Sequence, residues 1–574
     1  MIRFYRLVDL SSPANRQRLA EVQRIYERAF PYYPQYAAKI RKWMKDAVRE
    51  KFEVILILAE GRKGRVLGFS LCFYYPDIKY GYLDYIAIEP DRSARGIGGA
   101  LYEVTREALQ LRKAKGLCCD VPPDERGMLK EPERLAINRR RLAFYERFGA
   151  RPIIGTLYDQ LETPANQGFL TFLVYDPLGQ DRPLRRTELR RLIKRLFETK
   201  YAMSAEDARV RKIIASVKDD PVQIRAPRYR TPELKLPSQR LGKLDVVAVG
   251  NEHQIHHLKE RGYVERPARM DAIVRGLQVL SPIWHKPREC SAKLVREVHA
   301  TDLVRFLKQA ETKLKPNELL YPNVFPIRLA ERRPKTWEMQ AGYYCIDTFT
   351  PLTSEVYRAA LRSVHSAVTG AELLLNGAQT VYSLARPPGH HAEKKVFGGF
   401  CYLNNAAIAA HRLSKNGRVA FLDIDYHHGN GSQNIFYERA DVFFLSIHGH
   451  PRQAYPYFAG FADETGMGEG KGFNRNFPLN PGADDARYLK TLDAAIEVIR
   501  GYRPYCMVIS LGFDTMRGDP TGTFLLTLKG IEEVGARLGK LGLPTLVVQE
   551  GGYSLANLRQ GATRFFIGMA KERS

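Results

Sequence analysis

Short, almost wholly apolar runs recur along the chain and fall into two sets. Before residue 175, Val54 to Leu58, Val66 to Tyr75 and Tyr82 to Ile88 read as buried strands. Leu101 to Lys113 repeats its apolar positions every three or four residues, which predicts an amphipathic helix. From Asp245 onward six further runs read as strands: 245–249, 380–385, 419–425, 442–448, 507–511 and 545–548. Helical stretches separate them. Apolar strands alternating with helices predict an open parallel sheet with helices on both faces. Between the two sets, residues 176–240 change character. Arg185, Arg186, Arg190, Arg191, Lys194 and Arg195 make a basic helix, and Pro221, Pro227, Pro232 and Pro237 follow it. This predicts an α/β protein of two domains, 1–175 and 241–574, joined by a helical connector and a Pro-punctuated linker.

In an open parallel sheet, ligands bind outside the carboxyl ends of the strands. Five polar clusters lie there: Arg386 to His391, Asp423 to Gly431, Ser446 to His448, Gly512 to Asp514, and Glu550 to Tyr553. One such cluster is weak evidence, whereas five at successive strand ends make a site. The central one reads Asp423-Ile424-Asp425-Tyr426-His427-His428-Gly429-Asn430-Gly431. Charged groups at the end of a buried strand need compensation, because unpaired burial is costly. Strand alternation would put Asp423, Asp425 and His427 on one face, where a pair converges on one ion. Carboxylate with imidazole suits a divalent cation, most often zinc. His253, His256 and His257 also cluster, but no acidic residue follows at a useful spacing, and they are expected to be core or surface residues.

Bulk numbers narrow the partners. The chain has 574 residues and 44% hydrophobic content, ample for separate cores. No run is long and apolar enough to span a bilayer, and the N-terminus lacks a signal peptide's apolar stretch. Seven scattered cysteines without a repeated spacing argue against a disulfide framework and for a reducing cytoplasm. The net charge is +26, and residues 181–240 alone hold 17 Lys and Arg against 8 Asp and Glu. No zinc finger, recognition helix or RNA-binding motif accompanies that charge, so nucleic acid is not an expected partner. Localisation on nucleic acid through the basic stretch 181–240 remains a rival reading.

The motifs RPPGHHA (386–392), GGFCYLNN (398–405), DIDYHHGNG (423–431), LGFD (511–514) and EGGY (550–553) together resemble the histone deacetylase superfamily. That resemblance implies the arginase-deacetylase fold over residues 241–574. It implies Asp425, His427 and Asp514 as zinc ligands, with ferrous iron the alternative. It implies His390 and His391 as tandem histidines, the first held by Asp423, and Tyr553 as an electrophilic tyrosine. Asp423, Asp425, His427, Ser446 and Ile447 would hold a structural potassium ion. Asn430, the partner of His391, stands where some relatives carry Asp. Phe400 and Phe458 are candidate walls for an alkyl channel. Residues 321–328, 341–351 and 446–466 resemble acetylpolyamine amidohydrolases in particular. This implies that the loop at 309–341 narrows the site and helps form a homodimer. Glu318, Glu331 and Glu338 are candidates to receive a cationic tail, although the +26 charge works against a polycation. Acetyllysine in a protein is the rival substrate.

Residues 83–101 run from a strand through a turn into a glycine-rich helix start, where backbone N–H groups bind phosphate. With Asn138 and Tyr145 two helical turns apart, the stretch resembles the GNAT acetyltransferases over residues 1–175. That implies acetyl-CoA bound by Arg95, Gly96, Ile97, Gly98, Gly99 and Ala100, a pantetheine arm along Ile86 to Ile88, Asn138 at the cofactor, and Tyr145 as the acid for the thiolate. Asp84, Glu89 and Asp120 are candidate bases. Ser93 stands where that family usually carries Arg or Gln, which leaves room for an acetyl-CoA sensor rather than a transferase.

Overall fold

The computed structural model describes residues 3–31, 36–46, 52–61, 64–89, 97–125, 132–160, 170–180, 182–201, 203–229, 244–258 and 263–571. The chain divides into two compact units, Met1–Pro237 and Ser238–Ser574.

The first unit is built on seven strands: β1 (Arg3–Leu7), β2 (Glu53–Glu60), β3 (Val66–Tyr75), β4 (Tyr80–Ile88), β5 (Gly116–Val121), β6 (Arg151–Pro152) and β7 (Phe172–Asp176). Their order is β1-β2-β3-β4-β5-β7-β6. Every pairing is antiparallel except β4 with β5. That parallel pair holds only from Tyr80↔Gly116 to Leu83↔Cys119, after which the strands part. On its other side β4 carries an extra residue, since Cys72 faces Leu83 while Leu71 faces Tyr85. The bulge is at Asp84.

Residues 182–201 and 203–229 are not a free connector. Helix Arg186–Thr199 buries Leu189, Leu192, Ile193, Leu196 and Phe197. These pack into the same core as Tyr80, Tyr82 and Tyr175 of the first sheet, and Val210 and Ile213 of helix Ala208–Ser216 join them. The arginines occupy only one face of that helix. The leucines at helical spacing on the other face, which the charge count obscured, dock it. Most of the predicted proline linker (230–243) lies outside the described residues.

The second unit carries β8 (Asp245–Ala248), β9 (Ile283–His285), β10 (Thr380–Leu384), β11 (Val419–Asp423), β12 (Val442–Gly449), β13 (Asn474–Leu479), β14 (Cys506–Leu511) and β15 (Thr545–Gln549). The order is β13-β12-β11-β14-β15-β10-β8-β9, and every pairing is parallel. Two strands, β9 and β13, have no counterpart among the apolar runs. The first is three residues long with Ile283 and Trp284 exposed, and the second alternates with polar Asn474 and Asn476. Both are edges. In the middle of the sheet, alternate residues feed two cores. Val419 and Phe421 pack on one face with Val381 and Val508. Ala420 and Leu422 pack on the other with Tyr382 and Ile509. Burial on both faces removes polar choices from these strands and leaves chemistry to their carboxyl ends.

Candidate active site

Strand β11 ends at Asp423, so Asp425 and His427 lie in the loop beyond it. Strand alternation therefore does not bring them together. Side-chain-to-backbone turns do: Asp425 N–H donates to Asp423 Oδ1 at 3.1 Å, and His427 N–H donates to Asp425 Oδ1 at 2.9 Å. Asp514, just past β14, completes the group. One donor atom from each of Asp425, His427 and Asp514 lies within 4.8 Å of the others. His427 Nδ1 is 3.3 Å from Asp425 Oδ1 and 3.2 Å from Asp514 Oδ2. Both carboxylates are fully buried, and Asp514 Oδ2 accepts no hydrogen bond. A Cβ at Gly512 or Gly551 would lie 2.6 Å or closer to both carboxylates, so only glycine lets these two backbones approach. Burial drives the Asp514 carboxyl up, and Asp425 beside it adds to the effect. Burial opposes a charge on His427, but Asp425 and Asp514 outweigh it and push its pKa up to about 9. Two buried carboxylates converging on one imidazole nitrogen demand a cation, and this donor set fits a divalent metal with a coordination position to spare.

The tandem histidines stand beside this group with opposite electrostatics. His390 Nδ1 is 3.0 Å from Asp423 Oδ2, and Asp425 and Asp423 overcome burial to push its pKa up to about 10. His391 Nδ1 is 2.8 Å from Asn430 Oδ1, a neutral partner. Burial, then the nearby His390 and His427, hold His391 well below the usual imidazole range. The Asn430 amide donates onward to Glu393 Oε1 at 2.7 Å.

Tyr553 is buried, and burial raises its phenol well above the ordinary range, so it stays a neutral donor. Its backbone N–H donates to Asp519 Oδ2 at 2.6 Å. The Arg269 guanidinium lies 4.8 Å from the Tyr553 ring centre and donates to the carbonyls of Gly552 and Glu550. Glu265 in turn accepts from Arg269 and Arg386. The sequence reading did not single out Arg269, Glu265 or Asp347. Asp347 is a buried carboxylate that accepts from Gly399 N–H (2.6 Å), Phe349 N–H (2.9 Å), Thr350 Oγ1 (3.1 Å) and the Tyr455 hydroxyl (3.0 Å). It holds Gly399 beside Phe400, both of which have left-handed backbones with φ of 58° and 68°. A lone Asp in an apolar stretch was the available signal.

Of the two proposed channel walls, Phe400 packs against Tyr553, Tyr263 and Phe349 at 5.8, 5.1 and 5.7 Å between ring centres. Phe458 is 55% exposed and is no part of this wall. Tyr455 takes that place, edge-on to His391 at 4.8 Å. Glu318, Glu331 and Glu338 are all exposed. Ser446 is the register neighbour of Asp423, and its hydroxyl is 2.8 Å from His448 Nδ1; Ile447 follows in the same strand, fully buried. His256 is a core residue, with Nδ1 3.0 Å from Thr353 Oγ1.

In the first unit, Ile86, Ile88, Ile97, Ala100 and Tyr145 share one cluster on one face of the sheet. Helix Ile97–Gln110 begins with Gly98 and Gly99. A Cβ on Gly98 would meet nothing within 4 Å, so the protein's own packing does not require that glycine. Arg95, Gly96 and Ser93 lie outside the described residues. The Asn138 amide is engaged with the carbonyl of Pro123 at 2.9 Å. Glu89 is tied to Arg65 at 2.9 Å and Arg28 at 3.4 Å, and Asp84 and Asp120 lie 3.1 and 3.5 Å from Lys200, so all three candidate bases are engaged with cationic side chains.

The family model described as the histone deacetylase domain matches residues 263–569. The chain belongs to the histone deacetylase family. That span contains every residue of the site just described in the second unit. Within the family the chain is similar to acetylpolyamine amidohydrolase 2 of Pseudomonas aeruginosa, 40% identical over 55% of this chain and 96% of the relative. It is 36% identical to acetylpolyamine amidohydrolase of Mycoplana ramosa over 56% of this chain and 99% of that one. Among solved structures, acetylpolyamine aminohydrolase from Burkholderia pseudomallei superposes with a TM-score of 0.54 at 37% identity, covering 57% of this chain and all of that one. No helix among the described residues is long and apolar enough to cross a membrane.

Proposed function

We propose that the second unit hydrolyses the acetyl amide of a slender amine, in particular an acetylpolyamine. The convergence of Asp425, His427 and Asp514 beside two histidines of opposite electrostatics carries the reading, and the amidohydrolase relatives support it. Asp425, His427 and Asp514 would hold zinc. When bound, the metal acidifies water and polarises the substrate carbonyl. His391, neutral at the working pH, takes the proton of the attacking water and returns it to the leaving amine. His390, kept positive by Asp423, stabilises the negative charge that develops beside it. Tyr553 donates a hydrogen bond from its hydroxyl to the carbonyl oxygen as that oxygen gains charge. Tyr455 and Phe400 are the proposed walls of a channel for an unbranched alkyl chain. Asp423 and Ser446, with backbone carbonyls around them, are the proposed potassium site.

For the first unit we propose acetyl-CoA binding at the start of helix Ile97–Gln110, with transfer to an amine. The open space in front of Gly98 and the parting of β4 from β5 support it. The second reading for this unit is an acetyl-CoA sensor without turnover.

The test is amine release from acetylputrescine, acetylspermidine and an acetyllysine peptide by intact, chelator-stripped and His391→Ala protein. Metal-dependent release from the small amines is expected. Preference for the peptide would overturn the polyamine reading in favour of protein deacetylation. Release of CoA from acetyl-CoA with added amine separates the two readings of the first unit.

A further inference from the structure

Where β4 and β5 part, the first unit encloses two carboxylates around one ammonium group. Strand alternation puts Asp84 on the face of the sheet that carries Tyr82, and the bulge returns Tyr85 to that same face. The Asp84 side chain is fully buried; Oδ1 meets the Lys200 ammonium, and Oδ2 has no hydrogen-bond partner. On β5, Asp120 faces the same space and accepts from the hydroxyls of Tyr158, at 3.0 Å, and Tyr201. Between the two carboxylates sits one ammonium group. Lys200, at the end of helix Arg186–Thr199, places Nζ 3.1 Å from Asp84 Oδ1 and 3.5 Å from Asp120 Oδ2. The same Nζ is 4.5 Å from the Tyr82 ring centre and 5.2 Å from that of Tyr201.

Two carboxylates and aromatic faces around one nitrogen are how a protein recognises an alkylammonium ion. The count is also unbalanced, with two negative groups against one positive. A structural ion pair would satisfy both oxygens of its carboxylate with hydrogen bonds, whereas Asp84 Oδ2 is buried without a partner. Lys200 itself is a poor nucleophile here, because Asp84 and Asp120 outweigh burial and hold it protonated. We propose that the Asp84–Asp120 cage is a binding site for the ammonium group of a free diamine or polyamine, and that Lys200 is its tethered resident cation, with which the free amine competes. A dication neutralises both carboxylates where Lys200 neutralises one. The site lies on the opposite sheet face from the Ile86 and Tyr145 cluster, and its occupation does not depend on acetyl-CoA.

The experiment uses full-length wild-type, Lys200→Ala, Lys200→Met and Lys200→Ala/Asp84→Asn proteins without acetyl-CoA. Putrescine and propylamine are titrated at constant ionic strength, with calorimetric binding and the unfolding of the first unit as readouts. Lys200→Ala is expected to bind putrescine saturably and at least about tenfold more tightly than wild type. Adding Asp84→Asn should remove that gain, and propylamine should bind more weakly than putrescine. Wild type should bind weakly but saturably, and acetylputrescine hydrolysis should be unchanged in all four. If Lys200→Ala unfolds without amine, recovery of its transition by putrescine is the expected result. Absence of saturable binding or recovery in both single variants overturns the proposal. So does tight binding by the variants with none by wild type, which would mark the cage as a cavity created by the substitution.

Discussion

Asn430 is the position where a single added charge tests the electrostatics of the site most directly. Its amide bridges two groups, with Oδ1 2.8 Å from His391 Nδ1 and Nδ2 donating to Glu393 Oε1 at 2.7 Å. Asn430→Asp keeps the acceptor for His391 but sets a second carboxylate against Glu393, whose own pKa burial already raises. Two like charges about 4 Å apart repel by about 4 kcal/mol at an effective dielectric of about 20. Keeping a proton on one of them costs about 1.4 kcal/mol for each pH unit above its ordinary value near 4, again about 4 kcal/mol at pH 7. The helix that begins at Asn430 returns less than about 1 kcal/mol through its dipole. The variant should therefore be about 3 kcal/mol less stable at pH 7. The sign follows from linkage: an acid whose folded pKa is raised binds extra protons in the folded state. The penalty is absent below the unfolded pKa near 4 and grows as pH rises toward the folded value, so at about pH 5 it should shrink to about 1 kcal/mol. Urea unfolding of the second unit at several pH values measures it. Asn430→Asp/Glu393→Gln should recover most of the loss, and the new carboxylate should carry the acid limb of the hydrolysis rate upward by about 1 to 3 pH units. Wild-type stability for Asn430→Asp at pH 7, or no rescue by Glu393→Gln, would refute the reasoning.

Other outcomes follow from the same geometry. Tyr553→Phe keeps the ring against Arg269 and Phe400, so steady-state kinetics should show kcat down by about 10²- to 10³-fold with little change in the unfolding midpoint. Asp425→Ala should abolish zinc retention on metal analysis after gel filtration, and dialysis against zinc should fail to restore hydrolysis. Arg269→Met leaves Glu265 with Arg386 as its remaining arginine and should cost about 3 to 5 kcal/mol in urea unfolding, whereas Glu265→Gln/Arg269→Met should cost less. Tyr455→Phe removes one of the four donors to Asp347, so a stability loss of about 1 kcal/mol is expected, measured by thermal unfolding.

The central strands of the second unit were legible because both of their faces are buried: Val419 to Leu422 admits no polar residue. The motif residues were legible because carboxylate, imidazole and glycine have few other reasons to stand together at a strand end. The edge strands β9 and β13 escaped because an edge carries polar and exposed residues that break the apolar run. The route by which Asp425 and His427 converge was misread as strand alternation, since a side-chain-to-backbone turn leaves no periodic trace. Tyr455 and Asp347 escaped for a related reason. Each owes its place to a partner 108 residues away, and no local pattern encodes that distance. In the first unit, the arginines of helix Arg186–Thr199 drew the eye from the leucines that dock it.

Strand order has a consequence for how the chain reaches this structure. Strand β15, residues 545–549, lies between β10 and β14, so the eight-stranded sheet stays in two pieces until the last strand in sequence arrives. The first unit has all seven of its strands by residue 176. During synthesis it can fold while the other waits for a strand made some 370 residues later. From their own synthesis until β15 arrives, β10 and β14 carry open, apolar edges, the kind of surface that associates with another chain. The solubility of a nascent or truncated second unit therefore depends on five residues, Thr545 to Gln549, that take no direct part in the chemistry.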